Sequence, residues 1–440
     1  MTLNWQVSWY LSVFNSALLT HIKILVRHFF RPKRKGQQVK LLHTSDLHLG
    51  KKIKNISLLE DQEEALLSIL SIAKTNNIDA MILAGDIFDK GVPSVNALNL
   101  FQTFLENCKK SDIPVYIIAG NHDDASRLSC YTQFFTNSPI KIAKPFSSTP
   151  QYDDLKVGNE VVRIHFLPYI TPAIVRQEYP EHSEEISSYS DAVKFALSQQ
   201  PLLQNALNIL IAHQFVIDGQ QLPEQSDSEN IMVGGVDSVD YSLFEDFSYI
   251  ALGHLHIRQT IGRDTVCYSG SILPYSDSEI KKKDKFLSSV TTNVTAYYAE
   301  KTVELVDITN GNIQTQSTPI HTSKAFRKIT CSKSSIDEIV NENNIRNDYV
   351  YVTLTDESFV NAIYYVKEQF PNLLKLTFES PGGKSKKVTT TYEHPSTHNN
   401  LLEVITNFIE TQQGSELNED QRNILLSIIA ELNNSNEEDN

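Results

Sequence analysis

Apolar positions along this chain follow two alternating patterns. Residues 39–44 are a short apolar run ending in a polar loop, and from 59 to 74 Leu59, Ala65, Leu66, Ile69, Leu70 and Ala73 recur at helical spacing. Residues 79–84 then read as a buried strand, 93–108 as a second helix and 114–119 as a third strand. The alternation predicts a sheet with helices packed on its faces. Further strands are predicted at 161–167, 207–212, 249–252, 265–268 and 303–308, with fewer helices between them, so this half is expected to be more antiparallel. Beyond Pro319 the pattern changes to strands at 324–331, 348–354 and 373–378 and a helix at 358–369, a small unit of mixed topology. A turn-rich linker fills 381–395. After it, Leu401, Leu402, Ile405, Phe408 and Ile409 share one helical face, and Ile424, Leu425, Ile428, Ile429 and Leu432 another. Either stripe can pack on its own domain or fit a partner's groove. The expected divisions are an extension at 1–38, a main domain at 39–320, a small domain at 321–395 and helices with an acidic tail at 396–440.

Charge changes this picture at both ends. The 440 residues carry 39 Lys and Arg against 53 Asp and Glu, a net −14, which excludes a protein that coats nucleic acid by bulk positive charge. Residues 39–320 hold −13 of this, 321–395 hold +1 and 416–440 hold −6. Residues 1–38 instead carry Lys23, Arg27, Arg31, Lys33, Arg34 and Lys35 with no acid. Residues 1–22 have no charge, but polar residues interrupt the apolar ones and no basic stretch precedes them, a weak span and a poor signal peptide. The extension therefore reads as a weak anchor or as a disordered or mis-assigned segment. The second reading is favoured, since a complete domain starts at Val39. Cys108, Cys130, Cys267 and Cys331 lie far apart without a CxxC pair, which fits a reducing, cytoplasmic setting better than a disulfide framework.

Five predicted strands of the main domain end in polar clusters. Asp46 and His48 follow the first; Gly85, Asp86 and Asp89 the second; Gly120, Asn121, His122 and Asp123 the third. His213 follows a later strand, and Gly253, His254 and His256 another. In open α/β sheets the loops beyond the carboxyl ends of strands meet at the site, so these side chains should converge. Carboxylate, imidazole and amide without thiolate suit manganese, iron or zinc rather than calcium. Seven candidate ligands exceed one ion's usual protein share and imply two. By ligand type, Asp46, His48 and His256 would hold one ion, Asn121, His213 and His254 the other, and Asp86 would bridge. His122 is left to protonate a leaving oxygen or to stabilise charge on a phosphate, with Asp89 or Asp123 orienting its ring. The three glycines fit sharp turns off the strands. His43 reads as structural.

These strings in this order, DLH, GDIFD, GNHD, AHQ and GHLH, resemble the calcineurin-like metallophosphoesterase superfamily. The fuller strings LLHTSDLHLGK, AGDIFDKGVPS, IIAGNHD, AHQFV, ALGHLH and YSGSILPYS look like its SbcD branch, nuclease subunits of SbcCD complexes, over roughly residues 39–412. The resemblance implies an α/β fold, a four-layer sandwich of mixed sheets flanked by helices, with a small α+β capping domain and C-terminal helices. It implies a hydrolase with two divalent ions, most of all Mn2+, acting on DNA as a double-strand exonuclease and single-strand endonuclease in repair, recombination and replication. Carried across, the metal ligands are Asp46, His48, Asp86, Asn121, His213, His254 and His256, and the catalytic histidine is His122. The partner implied is an SbcC-type ATPase with a coiled coil, two copies of each subunit assembling. Leu401, Leu402, Ile405, Phe408 and Ile409 lie where the family grips that coiled coil, and 321–395 where it faces DNA. No membrane partner is expected. The chain departs from the family at Ile257-Arg258-Gln259, where relatives more often have Arg-Pro-Gln, at an inserted stretch near 286–299 and at 1–38.

Two other functions compete. A generic phosphodiesterase or phosphatase of the same superfamily would usually carry Arg where Lys90 stands and would lack the capping and tail segments. A scaffold that kept the fold without its metals would have lost ligands, and all seven are present.

Overall fold

The run at 39–44 forms strand β1 (Gln38–Thr44), followed by helix α1 (Leu59–Asn76), strand β2 (Ala80–Ala84) and helix α2 (Val95–Lys110). Strand β3 (Val115–Ile118), a short helix α3 (Ala125–Ser129) and strand β4 (Ile140–Ile142) complete the first half. The computed structural model describes residues 38–130, 138–158, 160–204, 206–229, 236–280, 295–343, 345–359, 361–379 and Gln421. The expectations for 1–37, for the linker and for the stripes at 401–409 and 424–432 lie outside them.

Local chemistry sets the helix ends. α1 stops where Asn77 takes φ 51° and its N–H bonds the carbonyls of Ala73 and Lys74. α2 starts at Ser94, whose hydroxyl accepts the Ala97 N–H. Both helices pack their apolar stripes on one face of the sheet.

The second half contains β5 (Gln151–Val157), β6 (Glu160–Leu167), α4 (Pro172–Glu178), α5 (Tyr189–Ser198), β7 (Leu207–His213), β8 (Tyr249–Gly253), β9 (Gln259–Ile261) and β10 (Arg263–Tyr268). Its sheet runs β9-β10-β8-β7-β6-β5. The antiparallel expectation fails at its centre: β6, β7, β8 and β10 are parallel, and only the edge strands β5 and β9 are antiparallel. Short helices and loops suffice for these crossovers, so sparse helix signals do not exclude parallel strands.

After β11 (Thr295–Tyr298), strands β12 (Thr302–Thr309) and β13 (Asn312–Pro319) return to the first sheet, whose order is β13-β12-β1-β2-β3-β4. The two sheets stack. In β2, Ala80, Ile82 and Ala84 enter the core between them, while Met81 and Leu83 join the core under α1 and α2. In β7, Ile209 and Ile211 face the first sheet, while Leu210 and Ala212 pack with Val175, Ala192 and Val193 of α4 and α5. Burial on both faces explains why these strands are continuous apolar runs, and it yields helix, sheet, sheet, helix.

The small unit comprises β14 (Phe326–Cys331), α6 (Ile336–Asn343), β15 (Tyr349–Leu354), α7 (Ala362–Gln369) and β16 (Leu373–Phe378). Its sheet, β11-β14-β15-β16, is mixed as expected, with β11 drawn from upstream of residue 321. That strand also gives structure to part of the segment read as an insertion. The unit meets α1 through Tyr349, whose hydroxyl donates to Asp61 at 2.6 Å, and through Lys324, 3.3 Å from the same carboxylate. Among the described residues no helix is long and apolar enough to cross a membrane.

Candidate metal centre

Because β1, β2, β3, β7 and β8 point the same way within their sheets, their carboxyl ends bring the polar clusters to one edge. The backbone there is unusual. Asp46 (φ 52°), His48 (φ 44°), Asp86 (φ 50°) and His254 (φ 105°) occupy positive φ, which costs a non-glycine residue on the order of 1–3 kcal/mol. Hydrogen bonds from Asp46 N to Gly85 O (3.0 Å), His48 N to Asp86 O (2.9 Å) and Leu49 N to Ile87 O (3.0 Å) zip the first two loops together and hold these turns.

Of the three glycines, only Gly85 is a positive-φ turn, at 89°. Gly120 and Gly253 are there for close approach. A Cβ on Gly120 would lie 2.1 Å from Asp86 Oδ1, and one on Gly253 would lie 2.0 Å from the Ala84 carbonyl oxygen.

All seven candidate ligands come together. Ligand atoms of Asp46, His48 and His256 lie within 4.8 Å of one another, as do those of Asp46, Asp86 and His213. His48 Nε2 faces His256 Nε2 at 3.0 Å. Asn121 Oδ1 sits 3.0 Å from His213 Nε2 and 3.0 Å from His254 Nδ1. Asp86 Oδ2 is 3.5 Å from His48 Nε2 and 3.5 Å from His213 Nε2, between the two groups. Asp46 accepts the His254 N–H at 3.0 Å and the Ser45 hydroxyl at 2.5 Å. His213 donates Nδ1–H to the Ala84 carbonyl at 2.8 Å, so Nε2 is the nitrogen that faces the cluster.

Electrostatics also calls for cations. Burial opposes charge on Asp86, but His213, His48 and His122 outweigh it and hold the carboxyl well below the usual range. Burial pushes the Asp46 carboxyl up against the pull of His213 and His256. His213 is likewise opposed by burial, yet Asp86 and Asp46 raise it to about 9, while burial and His213 lower His254 to about 3. His254 Nε2 and His48 Nδ1 are buried without a hydrogen-bond partner among the described residues. Buried carboxylates facing converged ring nitrogens fit divalent ions.

His122 lies at the rim, its N–H donating to Asp86 Oδ1 at 2.9 Å and its ring edge-on to His48 at 4.8 Å. Of the two residues expected to orient its ring, Asp89 does so through its backbone, while Asp123 serves the loops instead. Nδ1 bonds the backbone carbonyl of Asp89 at 3.0 Å, not a carboxylate. The Asp89 side chain pairs with Lys51 at 2.8 Å and lies 3.9 Å from His48 Nδ1. Asp123 ties the loops, accepting N–H bonds from Ile87, Phe88 and Gly120. Leu401, Leu402, Ile405, Phe408 and Ile409 are outside the described residues. His43, read as structural, is buried with Nδ1 bonded to the Tyr249 hydroxyl and Nε2 to the Leu252 carbonyl.

Sequence reasoning missed several neighbours. Tyr169 lies with its ring nearly parallel to that of His254 at 6.5 Å. Ser228, Glu229, Glu279 and Lys301 surround His256, and no strand-end position or spacing marks them.

The model of the family described as Calcineurin-like phosphoesterase matches residues 39–258, half of the chain. The chain is similar to a protein from Staphylococcus epidermidis named as the D subunit of the nuclease SbcCD, 29% identical over 348 residues, 77% of this chain and 85% of that one. It is also similar to a protein of the same name from Staphylococcus saprophyticus, 27% identical over 406 residues, 90% of this chain and 98% of that one. Among solved structures, TT1561 of Thermus thermophilus matches with a TM-score of 0.32 and 11% identity, covering 64% of this chain and 99% of that one, a likeness too low to carry any argument.

Proposed function

Because the chain belongs to the calcineurin-like phosphoesterase family, we propose that it is the SbcD-type nuclease subunit of an SbcCD-like complex, hydrolysing DNA phosphodiesters with two divalent ions. The single observation that carries the two-ion reading is Asp86. Its Oδ2 lies 3.5 Å from a ring nitrogen in each of the two ligand groups, as a bridging carboxylate requires.

In this reading Asp46, His48 and His256 would hold one ion and Asn121, His213 and His254 the other, with Asp86 offered to both. We assign manganese, which the carboxylate, imidazole and amide donors suit. When bound, such a pair supplies Lewis-acid activation of water and neutralises charge at the scissile phosphate. The chain's own residues do the rest. Backbone bonds between the β1 and β2 loops fix Asp46, His48 and Asp86 before substrate arrives. With Nδ1–H donated to the Asp89 carbonyl, His122 handles its other proton at Nε2 and delivers it to the leaving oxygen.

DNA as substrate and an SbcC-type ATPase as partner are supported by the names of the two relatives, each that of a component of the SbcCD nuclease. Residues 39–320 act as the nuclease domain, 321–395 as a cap toward DNA, and 396–440 as the grip on the ATPase, in a complex of two copies each. Near the cap, burial together with Lys375 and Lys367 lowers the Lys54 pKa, so cations of both units lie close together there, with Lys375 also bonded to Asp277 at 3.2 Å. The acidic remainder leaves most of the DNA grip to the ATPase, in the cytoplasm.

The test is a manganese titration that follows cleavage of a blunt DNA duplex and of bis-p-nitrophenyl phosphate, with and without a coiled-coil ATPase subunit. Duplex cleavage is expected. Turnover of the small ester alone would point to a generic phosphodiesterase, and bound manganese without turnover of either to a silent scaffold.

A further inference from the structure

The N–H, carbonyl and Nδ1 of His256 are each held by neighbours outside the ligand cluster, while its Nε2 faces His48 Nε2 at 3.0 Å. Its N–H donates to Glu229 Oε1 at 2.7 Å, and its carbonyl accepts from Lys301 Nζ at 2.8 Å and Ser271 N at 3.1 Å. Its Nδ1 lies 2.7 Å from Ser228 Oγ. The Ser228 hydroxyl also lies 2.7 Å from Ser226 Oγ; with its proton donated to the buried Glu279 Oε1 at 2.8 Å, Ser228 Oγ accepts the Nδ1–H.

Glu279 is 7% exposed and fully engaged. Besides Ser228, its Oε1 accepts the N–H groups of Tyr275 (2.9 Å) and Ser276 (3.0 Å), and its Oε2 accepts from Lys301 Nζ at 2.5 Å. Lys301 spends its remaining N–H on Ser271 Oγ at 2.9 Å. A buried carboxylate and a half-buried ammonium so completely paired form a rigid support rather than a mobile surface bridge. Rigid support of this kind fixes which ring nitrogen of a histidine is offered to a ligand.

We propose that Glu279, Lys301 and Ser228 are positioning residues that lock His256 with its proton on Nδ1 and its Nε2 lone pair aimed at the ion shared with Asp46 and His48. The inference rests on the two-ion reading above. It assigns to one ion alone a support that the other does not use, because His213 takes its orientation from the Ala84 carbonyl instead.

The test measures Mn2+ binding to the full chain by calorimetry and by electron paramagnetic resonance for Glu279→Gln and for the milder Ser228→Ala, with Lys301→Arg as the conservative variant. The wild type should bind two ions with the spectrum of a spin-coupled pair. Glu279→Gln should weaken one of the two ions about 10–100-fold and give an isolated-ion spectrum at Mn2+ levels that fill the wild type. Ser228→Ala should shift the same ion less, and Lys301→Arg should keep the coupled pair. Two wild-type affinities in both Glu279→Gln and Ser228→Ala would overturn the inference alone, and equal weakening of both ions in Ser228→Ala would also overturn it. A wild type that binds no second ion would overturn the two-ion reading and the inference with it.

Discussion

Replacing Gly253 with Ala tests whether His213 is held by close backbone packing. The added methyl would stand 2.0 Å from the Ala84 carbonyl oxygen, 2.7 Å from His213 Nδ1 and 3.0 Å from Ser45 Cβ. Ala84 ends a strand whose five residues are all buried, and Gly253 ends another, so neither backbone can yield by the ångström or more the contact demands. Overpacking of this kind costs about 1–3 kcal/mol. The methyl also drives apart the 2.8 Å bond from His213 Nδ1 to Ala84, and leaving those buried groups unpaired costs about 1–3 kcal/mol more. Together about 2–6 kcal/mol is lost from a total that is typically about 5–15 kcal/mol for a domain. Urea unfolding should show a lower midpoint with unchanged slope, and calorimetry should show weaker binding of the ion assigned to His213. Gly91→Ala is the control, since its nearest atoms are 3.7 Å away. A Gly253→Ala protein with the wild-type midpoint and two wild-type Mn2+ affinities would refute the packing argument.

Three further outcomes follow from other sites. His122→Ala should keep both Mn2+ ions by calorimetry while cleavage falls ~10²–10⁴-fold, and loss of the ions in that variant would contradict its role. Burial lowers the His43 pKa to about 3, and its neutral ring is bonded at both nitrogens. The unfolded chain then binds the extra proton first as pH falls below about 6.5, so this contribution is complete above that pH and shrinks by roughly 1.4 kcal/mol per pH unit down to the folded value. Urea midpoints between pH 8 and 4 should therefore slope less in His43→Gln than in the wild type, and identical slopes would contradict the assignment. Asp61→Ala strands the Tyr349 hydroxyl and removes the Lys324 partner, so hydrogen exchange in β14 and β15 should rise for about 1–3 kcal/mol of lost docking, whereas unchanged protection would place the docking elsewhere.

The convergence of the candidate ligands was legible because each is a polar residue at a strand end. Asp46, His48, Asp86, Asn121, His213, His254 and His256 each follow an apolar run, and parallel pairing gathers such ends without further instruction. His43 was legible as structural because it sits inside the run rather than beyond it. The direction of the central strands in the second sheet was not legible, because the signal used, helix spacing, is weak when crossovers are short. The reason for Gly120 and Gly253 was hidden too. Their need for no side chain comes from Asp86 and Ala84, residues more than thirty and more than a hundred positions away in the sequence.

The residues around His256 show the same limit in its strongest form, and they alter what the net charge means. Glu279 and Lys301 are ordinary letters between elements, and only the fold makes them a pair closing on a histidine. Charge arithmetic on the sequence counts Glu279 as surface acid, along with Asp46, Asp61, Asp79, Asp86 and Glu304, yet all six are buried. Four of them face cationic or ligand partners within the protein: Glu279 with Lys301, Glu304 with Arg258, Asp61 with Lys324, and Asp86 among the histidines. Pairing leaves the −14 itself unchanged, because Lys301, Arg258 and Lys324 are already in the sum; what it shows is that these carboxylates are internal scaffolding rather than part of the surface an approaching phosphate would meet. What an acidic composition excludes is attraction by bulk charge; it says nothing against a buried site whose own carboxylates are arranged for cations.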